Sequence, residues 1–334
     1  KMLLLSQSAP LPAHSAACIG AFDGLHRGHQ ELLNRARAVQ PHVALVTFMP
    51  HPMQVLAPDR APATLQTPRQ RRRVARWLGI DAVVELPFDT EVSLLSPTDF
   101  VDRYLHHGLQ PSAVVVGEDF RFGHRREGTI PLLRTMLSTR SVPLEVVEKV
   151  LGADGGKLGS SVIREHLRRG EVAPAAVILG RPHCVEGTVI EGERRGRTLG
   201  FPTANIQSDG AMIPGRGVYA VCAQITSPNH PHYGAHFTGV ANIGVNPTFT
   251  DDPAAQDALE VHLLGAPEGL SLYGDVVEVA FVARIRDEQK FNSGAALTVQ
   301  IGEDISRAAS LLAAASTIPL APPAAEIERE AESR

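Results

Sequence analysis

Apolar residues in the first half of the chain form short β-branched runs that alternate with longer stretches of helical spacing. The short runs cover 43–48, 82–86, 113–116 and 144–147. The stretches with apolar residues every three or four positions cover 26–39, 68–78, 97–107 and 130–139. This alternation predicts βαβ units that build a parallel sheet, in which ligands bind beyond the carboxyl ends of the strands.

From Cys184 onward the pattern changes to short strands separated by glycine, proline and asparagine. The apolar runs cover 187–190, 218–225, 236–243, 258–264 and 276–285. In the last run, apolar residues alternate strictly with outward positions such as Glu278 and Arg284, which indicates one buried face. Turn-connected strands favour antiparallel pairing, and closure of the sheet would remove its exposed edges. The second half is therefore predicted to form a barrel.

The end of the chain predicts one helix and a tail. Apolar residues recur at intervals of three and four, at Leu297, Ile301, Ile305, Ala308 and Leu312. Ser293 is the candidate N-cap of this helix. Residues 316–334 are rich in proline, alanine and glutamate, which predicts disorder. Glycines and prolines near 170–182 mark a junction, so the expected domains are 1–180 and 181–315.

Composition is that of a globular cytosolic protein. The 334 residues are 43% hydrophobic and 20% charged, which suits two domains. The net charge is only −4 and no basic stripe carries aromatic residues, so no nucleic-acid partner is expected. Cys18, Cys184 and Cys222 are far apart, which predicts neither a zinc site nor a disulfide framework and favours a reducing, cytoplasmic compartment. No membrane-spanning helix is expected, because prolines and polar residues interrupt the apolar stretch at 311–325.

A candidate phosphate site lies at residues 19–29, where an apolar run ends in glycines and two histidines. Gly20 permits a tight turn, and Gly28 leaves room for a nucleotide at the start of a helix. His26 and His29 are three residues apart, so on a helix they share one face and can reach one phosphate group. The helix N-terminus adds unpaired N–H groups, which suits nucleotidyl transfer. An ordinary strand-to-helix turn with two surface histidines is the alternative.

A second candidate phosphate site lies at residues 195–205. Gly196 and Gly200 would let a loop fold over a triphosphate, with Arg197 or its neighbour Arg195 balancing the charge. Thr203 and Asn205 are two residues apart, so on an extended chain their oxygens point to one side and can hold magnesium. The alternative is a solvated basic hairpin followed by a buried Phe-Pro pair.

Taken together, these segments resemble the bacterial bifunctional riboflavin kinase/FAD synthetase family. The likeness runs from about Ala17 to about Leu312 and rests on nine motifs in the family's order. They are GAFDGLHRGH at 20–29, TFMPHP at 47–52, GEDFRFG at 117–123, LGR at 179–181, GFPTAN at 200–205, GVY at 217–219, NIGVNPTF at 242–249, EVH at 260–262 and RDEQKF at 286–291. The resemblance implies a Rossmann-like nucleotidyltransferase domain followed by a six-stranded antiparallel riboflavin kinase barrel with a C-terminal helix.

In the first domain, the resemblance implies that His26 and His29 stabilise the ATP phosphates while FMN attacks the α-phosphorus. It also places Gly20, Phe22 and Gly28 at the ATP. Asp119 follows an apolar strand and is therefore expected at a carboxyl edge, where it can meet nucleotide or flavin. Phe120 beside it is a candidate for stacking on the flavin, with burial in the core as the alternative.

A departure from the family falls at 159–164. The family has Ser-Ser-Thr-x-Ile-Arg as a phosphate-binding segment, whereas this chain begins with Gly159 and replaces the threonine by Ser161. Ser160, Ser161 and Arg164 keep hydroxyls and a cation near a helix start, so phosphate binding is expected to survive. The glycine leaves the efficiency of FAD synthesis open.

In the barrel, the resemblance makes Glu260 the base that accepts the proton of a ribityl hydroxyl. The alternative for this glutamate is a structural role as the cross-strand partner of a lysine. The flavin-side candidates are Asn242, Arg286 and Phe291, and Thr203 with Asn205 is the candidate magnesium site.

The sequence thus predicts an ATP- and magnesium-dependent enzyme that converts riboflavin to FMN and FMN to FAD. A chain with weak or lost adenylyltransferase activity is one alternative, and a non-catalytic flavin sensor is another. A class I aminoacyl-tRNA synthetase shares the His-x-x-His arrangement, but a second region suited to nucleic acid is not evident. Oligomeric state and the transfer of FMN between the sites are not determined by the sequence.

Overall fold

A computed structural model describes residues 2–5, 9–152, 155–192, 200–244 and 258–315. The chain forms two compact units, which are Lys1–Pro62 with Val74–Gly159, and Ala63–Arg73 with Ser160–Arg334. The units therefore divide between 159 and 160, whereas the sequence analysis places the junction at 180. The tail 316–334, for which disorder was predicted, lies outside the described residues.

The first unit is built on a six-stranded sheet. Its strands are β1 (Leu3–Leu5), β2 (Ser15–Ile19), β3 (His42–Met49), β4 (Ala82–Pro87), β5 (Ala113–Gly117) and β6 (Leu144–Val147). Its helices are α1 (Arg27–Val39), α2 (Pro52–Leu56), α4 (Thr90–Ser93), α5 (Pro97–Phe100) and α6 (Ile130–Ser138), and the end of α3 (Pro68–Trp77) also belongs to it. A single helix over 97–107 was expected, but the chain forms α5 and then a π-helical segment at Val101–Leu109.

The sheet is parallel, as predicted, with the strand order β1-β4-β3-β2-β5-β6. The central strand β2 is fully buried, and β5 is buried from Ala113 to Val116, which explains their continuous apolar runs. The strand order reverses between β2 and β5, which pair through Cys18 and Val115. In open α/β sheets, ligands bind outside the carboxyl ends of the strands at such a point. The loops after Ile19 and after Gly117 both leave the sheet there.

The second unit is a closed antiparallel barrel, which confirms the predicted architecture. The strand order around it is β10-β11-β8-β7-β12-β9. The strands are β7 (His183–Ile190), β8 (Ala204–Ser208), β9 (Gly217–Ile225), β10 (His236–Gly244), β11 (Ala258–Leu263) and β12 (Val276–Arg286). The helices are α7 (Ser160–Arg168), α8 (Val172–Leu179) and α9 (Gly294–Ala314), with the start of α3. Ser293 caps α9 as predicted, since its Oγ accepts from Ala296 N at 3.2 Å.

Period-two alternation assigns the two faces of the barrel strands. Val279 and Phe281 of β12 and Val261 of β11 are fully buried and point to the interior. On the outer face, Ala308 and Leu312 of α9 pack against apolar residues of the sheet. Other outward positions therefore remain available for polar side chains.

Arg73 joins the segment 63–73 to the outer face of the barrel. Its Nη1 lies 3.1 Å from Glu186 Oε2, and its Nη2 is hydrogen-bonded to Glu278 Oε2. These three side chains are at most 7% exposed, and the two glutamates are direct register partners on β7 and β12. Gln70 adds hydrogen bonds to Glu278 (2.9 Å) and to Cys184 O (3.1 Å). Because the neighbouring carboxylates of Glu186 and Glu278 repel each other, the positive charge of Arg73 stabilises this part of the barrel.

We expect Arg73→Met to lower the free energy of unfolding by about 3–5 kcal/mol, the cost of leaving buried carboxylates without their cation. Adding Glu186→Gln and Glu278→Gln should recover most of this loss, because the repulsion then disappears. Urea denaturation followed by circular dichroism measures both effects.

Arg72→Met is the matched control, since Arg72 is only half-buried on the same helix and should change stability by less than about 1 kcal/mol. An Arg73→Met protein as stable as the parent would show that Arg73 does not stabilise the paired glutamates. A fragment of residues 181–315 also lacks Arg73, so the same two glutamines are expected to stabilise it.

Candidate active sites

The turn between β2 and α1 is held by hydrogen bonds and by buried side chains. Gly20 N donates to Val46 O at 3.1 Å, and Thr47 Oγ1 donates to Ala21 O at 3.0 Å. Phe22 and Leu25 hold positive φ angles of 48° and 42°, and both are fully buried. Non-glycine residues in this region are strained and persist only where the surroundings impose them. The turn is therefore tightly specified by the core beneath it.

The two predicted histidines lie together at the helix N-terminus. His26 is the N-cap of α1, and its Nδ1 accepts from His29 N at 3.3 Å. The two imidazole rings stack, with centroids 3.6 Å apart, and the edge of Phe22 contacts His29 at 5.1 Å. Because Nδ1 of His26 accepts, its neutral ring carries the proton on Nε2 and can donate it to a phosphate.

Two features of the start of α1 bear on anion binding. The first turn of α1 itself holds no acidic side chain, which suits binding of an anion at its positive end. A β-carbon on Gly28 would lie 3.1 Å from the His26 ring and 3.7 Å from Leu158 O. Gly28 thus permits the close packing of the His26 ring, and its expected role in leaving room for a nucleotide stays a prediction.

The predicted flavin residues lie after β5, beside the carboxyl end of β2. Asp119 is exposed, with its Oδ2 3.4 Å from Lys149 Nζ, and Lys149 also lies 3.8 Å from Glu118 Oε1. The rings of Phe120 and Phe122 stack at 5.7 Å. Phe122 is buried, whereas Phe120 is only half-buried. The aromatic pair therefore places Phe120 at the surface of the core, next to the charged residues.

The predicted phosphate segment at 159–164 is divided between the units. Ser160, Ser161 and Arg164 begin α7 and belong to the second unit, whereas the histidine pair belongs to the first. Arg164 is buried, and its Nε donates to Ala63 O at 2.6 Å. This contact holds the segment 63–73, a structural role that the sequence pattern did not indicate.

Three of the predicted barrel residues form one row across adjacent strands. Glu260 of β11 is the direct partner of Asn205 on β8 and of Asn242 on β10. Its chain neighbours Leu259 and Val261 are 1% exposed and point into the barrel, so the row faces outward. Side chains of register partners are about 5 Å apart. The fold thus brings the predicted base, a metal-ligand candidate and a flavin-side candidate together.

Glycines and a histidine contact lie beside Asn205 and Thr203, at one end of this row. Gly192 lies so close that a β-carbon there would collide with the amide of Asn205. Thr203 follows Pro202, whose carbonyl is 2.8 Å from His262 Nδ1, and the edge of Phe201 contacts the His262 ring. Gly200 has a φ of 87°, which glycine adopts readily. Gly196 and Arg197, also predicted to bind phosphate, lie outside the described residues.

Arg286 forms an ion pair with Asp304 that the sequence pattern did not predict. Its Nε and Nη2 bind the carboxylate of Asp304 at 2.8–3.1 Å, and Asp304 is a buried residue of α9. Its Nη1 donates to Asp287 O at 2.8 Å, and its Cζ lies 5.7 Å from the centroid of Phe291. Arg286 therefore positions Phe291 and the segment between them, and both remain flavin-side candidates.

The oxygen donors at Thr203 and Asn205 fit magnesium by their chemistry, since this ion takes hard oxygen ligands and completes its shell with phosphate and water. Among the residues that the structure describes, no three His, Cys, Asp or Glu side chains are grouped as for a transition-metal site.

The fold and these two groups of residues define a class of protein, in which an α/β nucleotide-binding unit is joined to a closed β-barrel. The family model for FAD synthetase matches residues 9–162, and that for riboflavin kinase matches residues 179–312. Within its described ranges the chain has no helix long and apolar enough to cross a membrane.

Curated relatives match nearly the whole chain. A Bacillus subtilis bifunctional riboflavin kinase/FMN adenylyltransferase is 36% identical over 87% of this chain and 90% of its own length. The Pseudomonas fluorescens protein of the same name is 38% identical over 89% and 93%. A Streptococcus pneumoniae crystal structure, named as a macrolide-efflux protein, is 27% identical with a TM-score of 0.79 and covers 92% of this chain and 99% of its own. This chain belongs to the bifunctional riboflavin kinase/FMN adenylyltransferase family.

Proposed function

We propose that this chain makes FAD from riboflavin in two ATP-dependent steps. Riboflavin and ATP give FMN and ADP at the barrel, and FMN with a second ATP gives FAD and pyrophosphate at the α/β unit. The observation that carries this proposal is the presence in one chain of the stacked histidine pair and of the row through Glu260. Incubation of the pure protein with riboflavin, ATP and magnesium, followed by separation of FMN from FAD, tests it.

At the α/β unit, a phosphate oxygen of FMN forms a bond to the α-phosphorus of ATP while the bond to pyrophosphate breaks. Negative charge grows on the phosphates during this step, and we assign its stabilisation to His26, His29 and the N-terminus of α1. Gly20 and Phe22 in the preceding turn and Gly28 in the first turn of α1 are proposed to bind the ATP. Asp119 and Phe120 follow the adjacent strand and are proposed to bind the flavin, and residues 1–180 are proposed to hold this activity.

We expect His26→Asn to lower conversion of FMN to FAD by about 10²–10³-fold, because asparagine keeps the helix cap but lacks the imidazole donor. His29→Ala should cause a similar loss. Phosphorylation of riboflavin should stay at the parental rate. Separate assays with FMN and with riboflavin as substrates measure the two activities.

His107→Ala is the control, since this exposed histidine of the same unit has no proposed role. Loss of both activities in a folded His26→Asn protein would refute the separation of the two sites.

At the barrel, Glu260 accepts the proton of the terminal ribityl hydroxyl as that oxygen attacks the γ-phosphorus and ADP leaves. Asn205 and Thr203 would hold magnesium, which neutralises phosphate charge when it is bound. We assign flavin binding to Asn242, Arg286 and Phe291, and binding of the ATP phosphates to Gly196, Arg197 and Gly200. Residues 181–315 are proposed to hold this activity.

We expect Glu260→Gln to lower riboflavin phosphorylation by about 10²–10⁴-fold, since glutamine keeps the size of the side chain but cannot accept the proton. Adenylylation of added FMN should not change. Steady-state assays of each half-reaction check this. Glu268→Gln, in an exposed loop of the same unit, is the control and should match the parent. A Glu260→Gln protein with full kinase activity would show that another group accepts the proton.

The segment at 159–164 is proposed to bind ATP phosphate through Ser160, Ser161 and Arg164. Position 159 immediately precedes α7, and a β-carbon there would meet open space. We expect Gly159→Ser to raise FAD synthesis about fivefold, which corresponds to one added hydrogen bond of about 1 kcal/mol.

Gly302→Ser provides the control for Gly159→Ser, because position 302 on α9 also has open space around it. Initial rates of FAD formation compare the two proteins. Unchanged turnover in Gly159→Ser would show that the glycine does not limit the adenylyl step.

A cytoplasmic location is supported by the three free thiols of Cys18, Cys184 and Cys222. Riboflavin, FMN and ATP are the proposed partners, all of them small molecules.

A further inference from the structure

A second carboxylate lies beside the row through Glu260. Gly244 is two residues after Asn242 on β10, and a β-carbon on it would collide with Oε1 of Glu288. The same point is 3.4 Å from Nδ2 of Asn242. The carboxylate of Glu288 therefore rests against the bare backbone of Gly244 and next to the Asn242 amide. Only glycine permits this approach.

The segment that carries Glu288 is anchored at several points. Before it, Arg286 is held by the buried carboxylate of Asp304. After it, Gln289 donates to Gln300 Oε1 at 3.1 Å, and Gln300 in turn donates to Asp304 at 3.1 Å. These contacts tie the segment to α9 on both sides of Glu288, and they thereby hold the backbone from which the exposed Glu288 side chain extends toward Gly244.

Charge decides what this carboxylate can bind. A second negative group near the transferred phosphate would oppose the reaction, so it must face a part of the substrate that carries no phosphate. The Asn205 end of the row is the proposed metal and phosphate end, and Glu288 lies at the Asn242 end. Beyond the hydroxyl that meets Glu260, the substrate offers the secondary hydroxyls of its ribityl chain, which are hydrogen-bond donors.

We propose that Glu288 binds the secondary hydroxyls of the ribityl chain and thereby selects flavins that carry a polyol. This inference rests on the proposed kinase function. Glu288 is a binding residue in this scheme, and Gly244 provides the space for it.

The test measures riboflavin kinase kinetics of Glu288→Ala in the full-length protein. The KM for riboflavin should rise about 10- to 100-fold, the usual effect of losing hydrogen bonds to a charged acceptor. The kcat and the KM for ATP should stay within about twofold, because Glu260 and the phosphate end are intact. Glu303→Gln, an exposed glutamate on α9, should behave as the parent.

Gly244→Ala provides an independent variant, because its β-carbon would displace the Glu288 carboxylate. It should reproduce the higher KM, and the double variant Gly244→Ala/Glu288→Ala should be no worse than Glu288→Ala alone. Additive effects would mean that Gly244 does not act through Glu288, and would overturn this part of the proposal.

Lumiflavin, which has the ring system without the polyol, identifies the group that is recognised. Its inhibition constant should be the same for the parent and for Glu288→Ala. An equal loss for lumiflavin and riboflavin would show that the carboxylate contacts the ring, and an unchanged KM for riboflavin would refute the contact altogether. Absence of kinase activity in the parent protein would instead refute the proposed function.

Discussion

The register of β11 between β8 and β10 is the constraint on which the barrel site depends. It sets Glu260 opposite Asn205 and Asn242, and it sends Leu259 and Val261 into the core. Because side chains alternate between faces, a slip of one residue would bury the glutamate and expose the two apolar residues. The free energy gained by burying Leu259 and Val261 therefore also keeps Glu260 in register with Asn205 and Asn242. The same hydrogen-bonded ladder therefore specifies both the geometry of the proposed site and the packing of the core.

The α/β unit reaches its site by a different route. There, no cross-strand row is involved, and the side chains come from loops after the adjacent parallel strands β2 and β5. In the loop after β2, Phe22 is buried with a positive φ angle, and its edge contacts the ring of His29. The cap made by His26 then sets the tautomer of its ring. Burial of an aromatic side chain thus determines the orientation of the proposed phosphate donors.

The compact units of the structure do not have the same boundaries as the regions matched by the two family models. The riboflavin kinase family model starts at residue 179, yet the barrel unit includes Ala63–Arg73. The physical reason is the pair of buried glutamates on β7 and β12, which need Arg73. A linear reading of the chain has no means to detect this, since the partners are more than 100 residues apart.

The sequence by itself determined the class of each half and the identity of most proposed site residues. The spacing of apolar residues predicted the parallel sheet and the barrel. A strand buried on both faces has a continuous apolar run, and a strand buried on one face alternates apolar and polar residues. His26, His29 and Glu260 were identifiable from local motifs. Tertiary structure alone decided that Arg286 binds Asp304, that Arg164 holds the segment 63–73, and that Glu288 rests on Gly244. Such contacts join residues distant along the chain, and only packing determines which charged side chain meets which partner.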